Sequence, residues 1–180
     1  TKQKNRFNLF LIDLSTYFSS DSDSRQYNVL EPPLGLMALE TFLNKKLKDN
    51  IEINITKSLI DFDSFKELLN LVVEFEPDLI GIRAMTFYSG FFHEGVAYLR
   101  DKGIKTPIIA GGPYPTASYH DILKDKNIDV CAIAEGEFTL LEFINAMIEN
   151  GKQLPNFKVL KKIKGIAFSH ENKTNVSKGI

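Results

Sequence analysis

Residues 78–113 read DLIGIRAMTFYSGFFHEGVAYLRDKGIKTPIIAGGP and hold two unlike patterns in one stretch. Asp78 to Ile82 is a short apolar run, Arg83 to Ser89 a loop, and Gly90 to Lys102 carries Phe92, Val96 and Leu99 at the spacing of one helix face. Thr106 to Ala110 is apolar again and stops at Gly111-Gly112-Pro113. A strand, a helix and a second strand in that order make a βαβ unit, whose strands lie parallel in one sheet.

The same alternation extends both ways. Upstream, Phe7 to Asp13 (FNLFLID) is a strand, Leu14 to Glu31 a long polar loop, and Pro32 to Lys48 a helix with Leu36, Leu39, Leu43 and Leu47 on one face. Ile51 to Thr56 alternates like a half-buried strand, and the helix after it, capped by Asp63 or Ser64, ends before Pro77. Downstream, a helix runs from about Ala117 to Lys124 with Thr116 as its cap. A strand Asp129 to Ala134 follows, then the turn Glu135-Gly136-Glu137 and a last helix through Asn150 that Gly151 closes. Lys164 to Phe168 and Thr174 to Ser177 flank a small hairpin. Five strand-then-helix units predict a three-layer, doubly wound parallel sheet of five strands in order 2-1-3-4-5, Rossmann- or flavodoxin-like, with a short C-terminal hairpin. Residues 1–155 form this domain and 156–180 a linker and hairpin.

Bulk properties exclude several classes. A net charge of -1 with no basic run leaves no footprint for nucleic acid. The longest apolar stretches, Ile104 to Ala110 and Val130 to Ala134, are too short to span a membrane, and the polar start lacks a signal-peptide pattern, so a cytoplasmic setting is expected. Cys131 is the one cysteine; it excludes an internal disulfide and any cysteine-held iron–sulfur cluster built by these residues alone. Its apolar strand predicts a buried, inert thiol.

In such a sheet, ligands bind beyond the carboxyl ends of the strands. The loops there are Asp13 to Pro33, Arg83 to Ser89, Gly111 to Thr116 and Glu135 to Glu137. Gly111 and Gly112 permit either a tight turn or the close approach of a flat ligand. Pro113 and Pro115 stiffen the segment. Glu135 and Glu137 straddle Gly136 at a helix start, where capping accounts for one carboxylate and no partner is in view that would make the two an acid–base pair. His93, His120 and His170 lack ligand spacing and read as solvated residues. A phospho-receiver aspartate closing the third strand, a compact flavin-phosphate turn, a G-x-G-x-x-G and a Walker loop are all missing.

EPPLGLMALETFL at 31–43, EPDLIGIRAMTF at 76–87, PIIAGGPYPT at 107–116, DVCAIAEGEFTLLEFI at 129–144 and KGIAF at 164–168 together resemble the cobalamin-binding domain that precedes the catalytic barrel of many radical S-adenosylmethionine (radical SAM) proteins. The resemblance implies cobalamin over the carboxyl edge of the sheet, held by Asp13, Leu14, Pro33, Leu34, Gly35, Met85, Thr86, Gly111, Gly112, Pro113, Glu135, Gly136 and Glu137. It implies no catalytic residue in this stretch. A radical SAM domain of the same chain would follow and hold the iron–sulfur cluster, on C-x-x-x-C-x-x-C, and S-adenosylmethionine, for methylation or a related radical reaction. Two positions depart from the family pattern. The motif D-x-H-x-x-G would begin at Asp13, yet the run is Asp13-Leu14-Ser15-Thr16-Tyr17-Phe18, without the histidine or the glycine. Arg83 stands where a small residue, often serine, is usual; a long cation there either crowds a corrin or pairs with a phosphate or carboxylate. The alternative is a cofactor-free module of the same fold that shapes substrate access or docks a partner. On the cobalamin reading, a bulky residue at Gly112 is expected to abolish binding while the fold survives.

Overall fold

The computed structural model describes residues 6–20, 31–133 and 135–177. Residues 21–30 of the long loop and Ala134, the last residue expected in the fifth strand, lie outside them. The elements are β1 (Phe7–Asp13), α1 (Leu34–Leu47), β2 (Ile51–Lys57), α2 (Phe65–Phe75), β3 (Leu79–Arg83), α3 (Ser89–Asp101), β4 (Ile108–Gly111), α4 (Pro113–Ile122), β5 (Val130–Ala132), α5 (Gly136–Glu149), α6 (Phe157–Leu160), β6 (Ile166–His170) and β7 (Lys173–Val176). Among the described residues no helix is long and apolar enough to cross a membrane.

The sheet order is β2-β1-β3-β4-β5-β6-β7. The first five strands are parallel in the expected order 2-1-3-4-5. The strand count differs, because the tail hairpin does not stand apart from the sheet: β6 pairs antiparallel with β5, through Val130↔Phe168, Cys131↔Ala167 and Ala132↔Ile166. All three β5 residues are buried in the complete sheet, and without β6 the amides and carbonyls on that side of β5 would form an open edge. The hairpin removes that edge.

Strand alternation sorts side chains onto two faces. Phe10 and Ile12 of β1 pack with α2, α3 and α4, while Phe7, Leu9 and Leu11 pack with α1, α5 and α6. The β1-to-β2 connection runs across the sheet in the direction opposite to the three that follow. One constant crossover hand therefore sends α1 to the face opposite α2, α3 and α4.

Local chemistry sets the boundaries. Ser64 caps α2 by accepting from Glu67 N–H at 3.2 Å, and the Glu67 carboxylate accepts from Asp63 N–H at 2.7 Å, a reciprocal cap. Helix α4 begins four residues earlier than expected. Gly112, at φ 101°, turns the chain, and Pro113 takes the first helical position, where its missing N–H costs nothing. Thr116 is consequently inside the helix, its hydroxyl donating to Gly112 O at 2.9 Å, and is not the cap. His93 is also not a solvated residue. Its Nδ1 lies 2.6 Å from Asp125 Oδ2 and its Nε2 3.3 Å from the Tyr114 hydroxyl, tying α3 to α4 and the turn after it. His120 and His170 are exposed, as expected.

The parallel register places Asp13 level with Lys57 on one side and Arg83 on the other. Asp13 is fully buried. Its Oδ2 accepts from Lys57 Nζ at 3.2 Å, and both its oxygens accept from Arg83 Nη1, at 3.3 and 3.1 Å. Ser15 N–H donates to Oδ1 at 3.0 Å, and Lys57 Nζ donates to Ser15 Oγ at 2.7 Å. Ser58 then donates from its backbone to Asp13 O at 3.0 Å and from its hydroxyl to Thr16 O at 2.6 Å, which pins the chain leaving β1.

Two outcomes are expected. Asp13→Asn leaves two cations facing each other with one of them buried, and should cost about 3 kcal/mol, the scale for breaking a buried ion pair, read as a fall in the urea midpoint; an unchanged midpoint would show the triad to be incidental. Burial pushes the Cys131 thiol from its ordinary 9.0 to about 12. Thiol reagents at pH 8 should accordingly react only as fast as the domain unfolds, and stability should decline as pH rises from 9 toward 12, because the unfolded thiol ionises first. Rapid labelling of the folded domain would contradict the buried position.

Candidate functional site

Where β1, β3, β4 and β5 end, a cleft of about 280 Å³ opens on the face covered by α1 and α5. Its floor comes from the strand residues that alternation turns to this face, Leu11, Gly81, Ile109 and Ala132. Leu36 and Leu39 of α1 form one wall and Leu140 of α5 another. The mouth is bordered by Gly35, Arg83, Gly111, Gly112, Glu135, Gly136 and Glu137. Small residues at the strand ends and in the first turns of both helices keep the space open. The cleft is thus an apolar slot with a polar entrance, the usual form of a small-molecule site.

Of the residues expected to hold a cofactor, Gly35, Gly111, Gly112, Glu135, Gly136 and Glu137 meet around this cleft. The others lie elsewhere along the same edge. Asp13 is enclosed between its two cations, and Leu14 is buried in the core of the α2–α3–α4 face. Pro33 is the half-buried residue preceding α1, and Leu34 begins that helix at 68% exposure. Met85 is half-buried ahead of a short 3-10 turn, Thr86–Tyr88, whose first residue is exposed; Pro113 is exposed. Sequence reasoning missed the floor and walls, Leu11, Leu36, Leu39, Gly81, Ile82, Ile109, Ala132 and Leu140. Their signal was present as period-two alternation near each strand end, but it reads equally as ordinary core. Arg83 had been noticed only as a departure.

The two glycines of the β4 exit play different parts. A Cβ on Gly112 would sit 3.1 Å from Ala84 O, and its φ of 101° disfavours any side chain. Gly112 therefore serves the turn itself, so a bulky residue there is expected to damage the fold along with any binding, contrary to the expectation that the fold survives. Gly111 has ordinary backbone geometry, and a Cβ on it would meet only Ala132 Cβ, at 3.9 Å.

Charge is distributed unevenly around the mouth. Arg83, on β3, supplies its cation; Glu135 and Glu137, at the start of α5, supply carboxylates on the β5 side. With β4 between them, β3 and β5 are about 10 Å apart, two inter-strand spacings. Large apolar side chains also stand exposed near these strand ends: Leu34 and Met37 on α1, Phe138 on α5 at 67%, and Phe87 after β3 at 78%. The Tyr17 hydroxyl donates to Phe87 O at 3.3 Å and the Tyr17 ring lies 4.8 Å from that of Tyr88, so the exits of β1 and β3 touch. Burial, then the neighbouring Tyr17 and Asp13, raise the Tyr88 phenol above its ordinary value and keep it protonated. Among the described residues no group of His, Cys, Asp or Glu is arranged to hold a metal ion.

Comparison with known proteins bears on the fold and the family. The chain is 25% identical over 145 residues to an uncharacterized methyltransferase, PH0819, of Pyrococcus horikoshii, covering 79% of this chain and 29% of that protein. It is 37% identical over 75 residues to the anaerobic magnesium-protoporphyrin IX monomethyl ester cyclase of a Synechocystis species, covering 41% of this chain and 14% of that one. Among solved structures, the cobalamin-dependent S-adenosylmethionine radical enzyme OxsB, with aqua-cobalamin and S-adenosylmethionine bound, superposes with a TM-score of 0.73 at 15% identity, over 97% of this chain and 23% of that chain. The radical S-adenosylmethionine methyltransferase TsrM from Kitasatospora setae, with cobalamin and a [4Fe-4S] cluster bound, gives 0.73 at 17% identity, over 95% and 29%. These likenesses establish a common fold, and the chain spans less than a third of each of these proteins. Residues 26–144, most of the sheet and its helices, match the B12 binding domain family, and it is to this family that the chain belongs.

Proposed function

We propose that this domain holds cobalamin across the carboxyl edge of its sheet and presents it to a radical SAM domain of the same chain. The observation that carries the reading is the apolar cleft on the α1–α5 face, opening at the side-chain-free exit of β4. At about 280 Å³ the cleft lies at the low end for drug-sized ligands, so the corrin macrocycle does not enter it. The fit is divided: the ring would be held at the mouth by Gly111 and Gly112 and the exposed Leu34, Met37, Phe87 and Phe138, and the slot would take the arm that carries the base. Glu135 and Glu137 line the same mouth, and their carboxylates would accept from amide N–H groups of the bound cofactor. Cobalamin, when bound, supplies a cobalt centre that carries a transferable methyl group or an electron.

The residues of this chain bind, orient and shield the cofactor. No histidine stands two residues after Asp13; Ser15 occupies that position and is held by Lys57. This position would therefore supply no imidazole to a bound cobalamin. The cofactor-free alternative leans on Arg83 as an obstruction, but Arg83 is drawn toward Asp13 and borders the slot without filling it. The iron–sulfur cluster and S-adenosylmethionine belong, on this proposal, to a further domain, because a single buried cysteine supplies no cluster ligands. The OxsB structure holds aqua-cobalamin and S-adenosylmethionine, and the TsrM structure cobalamin and a [4Fe-4S] cluster; because this chain covers less than a third of either, they support that division of labour. A cytoplasmic setting is part of the same proposal.

The direct test is titration of hydroxocobalamin into the domain, and into the longer chain that carries it, followed by the visible spectrum. Gly111→Val should weaken binding at least tenfold, because its side chain projects into the cleft mouth, with the urea midpoint little changed. A silent spectrum with both proteins, or undiminished binding by Gly111→Val, would overturn the reading.

A further inference from the structure

We infer that Arg83 makes this domain selective for corrinoids whose lower arm carries a phosphodiester. The inference rests on the proposal that the arm enters the cleft, and adds to it the chemical group that is recognised and the residue that recognises it.

Among the described residues, Arg83 is the cation of the cleft lining. Its side chain is 30% exposed, enough to meet a ligand and too little to be solvated all round. Nη1 is committed to Asp13 through both carboxylate oxygens, whereas Nη2 and Nε make no hydrogen bond among the described residues. The guanidinium is thus anchored by one nitrogen and keeps an open edge of planar donors, the geometry that suits phosphate oxygens. Anchoring also removes most of the rotamer freedom that an exposed arginine would lose on binding.

Charge counting points the same way. A single carboxylate, Asp13, faces two cations. Lys57 is nearly inaccessible and spends its ammonium on Asp13 and Ser15, so it satisfies the carboxylate from below. If Arg83 were present only to neutralise Asp13, Lys57 would make it redundant. One positive charge is left over, beside apolar walls that screen it poorly. Among the described residues, the other charges of the cleft lining are Glu135 and Glu137, two strands away, and they repel an anion toward the Arg83 end. An arm bearing one negative charge therefore has one place to put it. A corrinoid that ends before the phosphate makes no use of Arg83.

The test is a cycle of two ligands and three proteins: hydroxocobalamin and diaquocobinamide, which has the same ring but neither phosphodiester nor base, titrated into wild type, Arg83→Met and Arg83→Lys. Circular dichroism and urea unfolding confirm that each protein is folded. Arg83→Met is expected to weaken cobalamin binding about tenfold to a hundredfold, the scale for a lost charge-assisted hydrogen bond, while cobinamide affinity stays within about twofold. Arg83→Lys keeps the charge but loses the fork, and should fall between; it also serves as the probe if Arg83→Met does not fold. Equal weakening of both ligands would reduce Arg83 to a positioning residue and overturn the inference, as would unchanged cobalamin binding in both variants. Wild type that binds neither corrinoid would instead remove the cobalamin reading on which the inference stands.

Discussion

A single buried carboxylate between two cations organises the functional edge of this domain. The ends of β1, β2 and β3 are level because Asp13, Lys57 and Arg83 are register partners, and the ion triad makes that level arrangement costly to disturb. Backbone and hydroxyl donors from Ser15 and Ser58 complete the shell, so the chain leaves β1 in a defined direction. Buried charge of this kind contributes little net stability when complete and much instability when broken. Its value here is positional: it holds the arginine that borders the cleft.

The cleft itself follows from sheet geometry. Alternation directs Leu11, Gly81, Ile109 and Ala132 toward α1 and α5, and two of those four are glycine or alanine. Helices that pack on small residues leave room near the strand ends, and the first turns of α1 and α5 add Gly35 and Gly136 at the entrance. The opposite face is filled by large side chains, among them Phe18, Phe62, Phe91 and Phe92. Among the described residues aromatic side chains are more numerous on that face, and the cleft lies on the other.

The hairpin at the far edge has a related role. Parallel strands need cover on both faces. Strand β5 has three residues, and without β6 its buried backbone would be exposed at an edge close to Glu135 and Glu137. Pairing with Ile166, Ala167 and Phe168 holds β5, and with it the start of α5, at a fixed height beside the cleft.

The sequence by itself determined which segments are strands and helices, their order, and the edge at which a ligand would sit. Those are local or topological properties: FNLFLID and the Phe92–Val96–Leu99 spacing need no distant partner to be read, and right-handed crossovers restrict the sheet order. It also carried the family resemblance, and with it six of the residues around the cleft. Only the tertiary structure decided that Asp13 meets Lys57 and Arg83, 44 and 70 residues away, because such a meeting depends on register between strands that are far apart along the chain. The same holds for His93 with Asp125, for the hairpin's choice of β5 as partner, and for the difference between Gly111 and Gly112, which is a matter of what a Cβ would strike. Pattern along the chain specifies which way a residue faces within its own element; what it faces is set by packing between elements, and the chemistry of this site lies in those contacts.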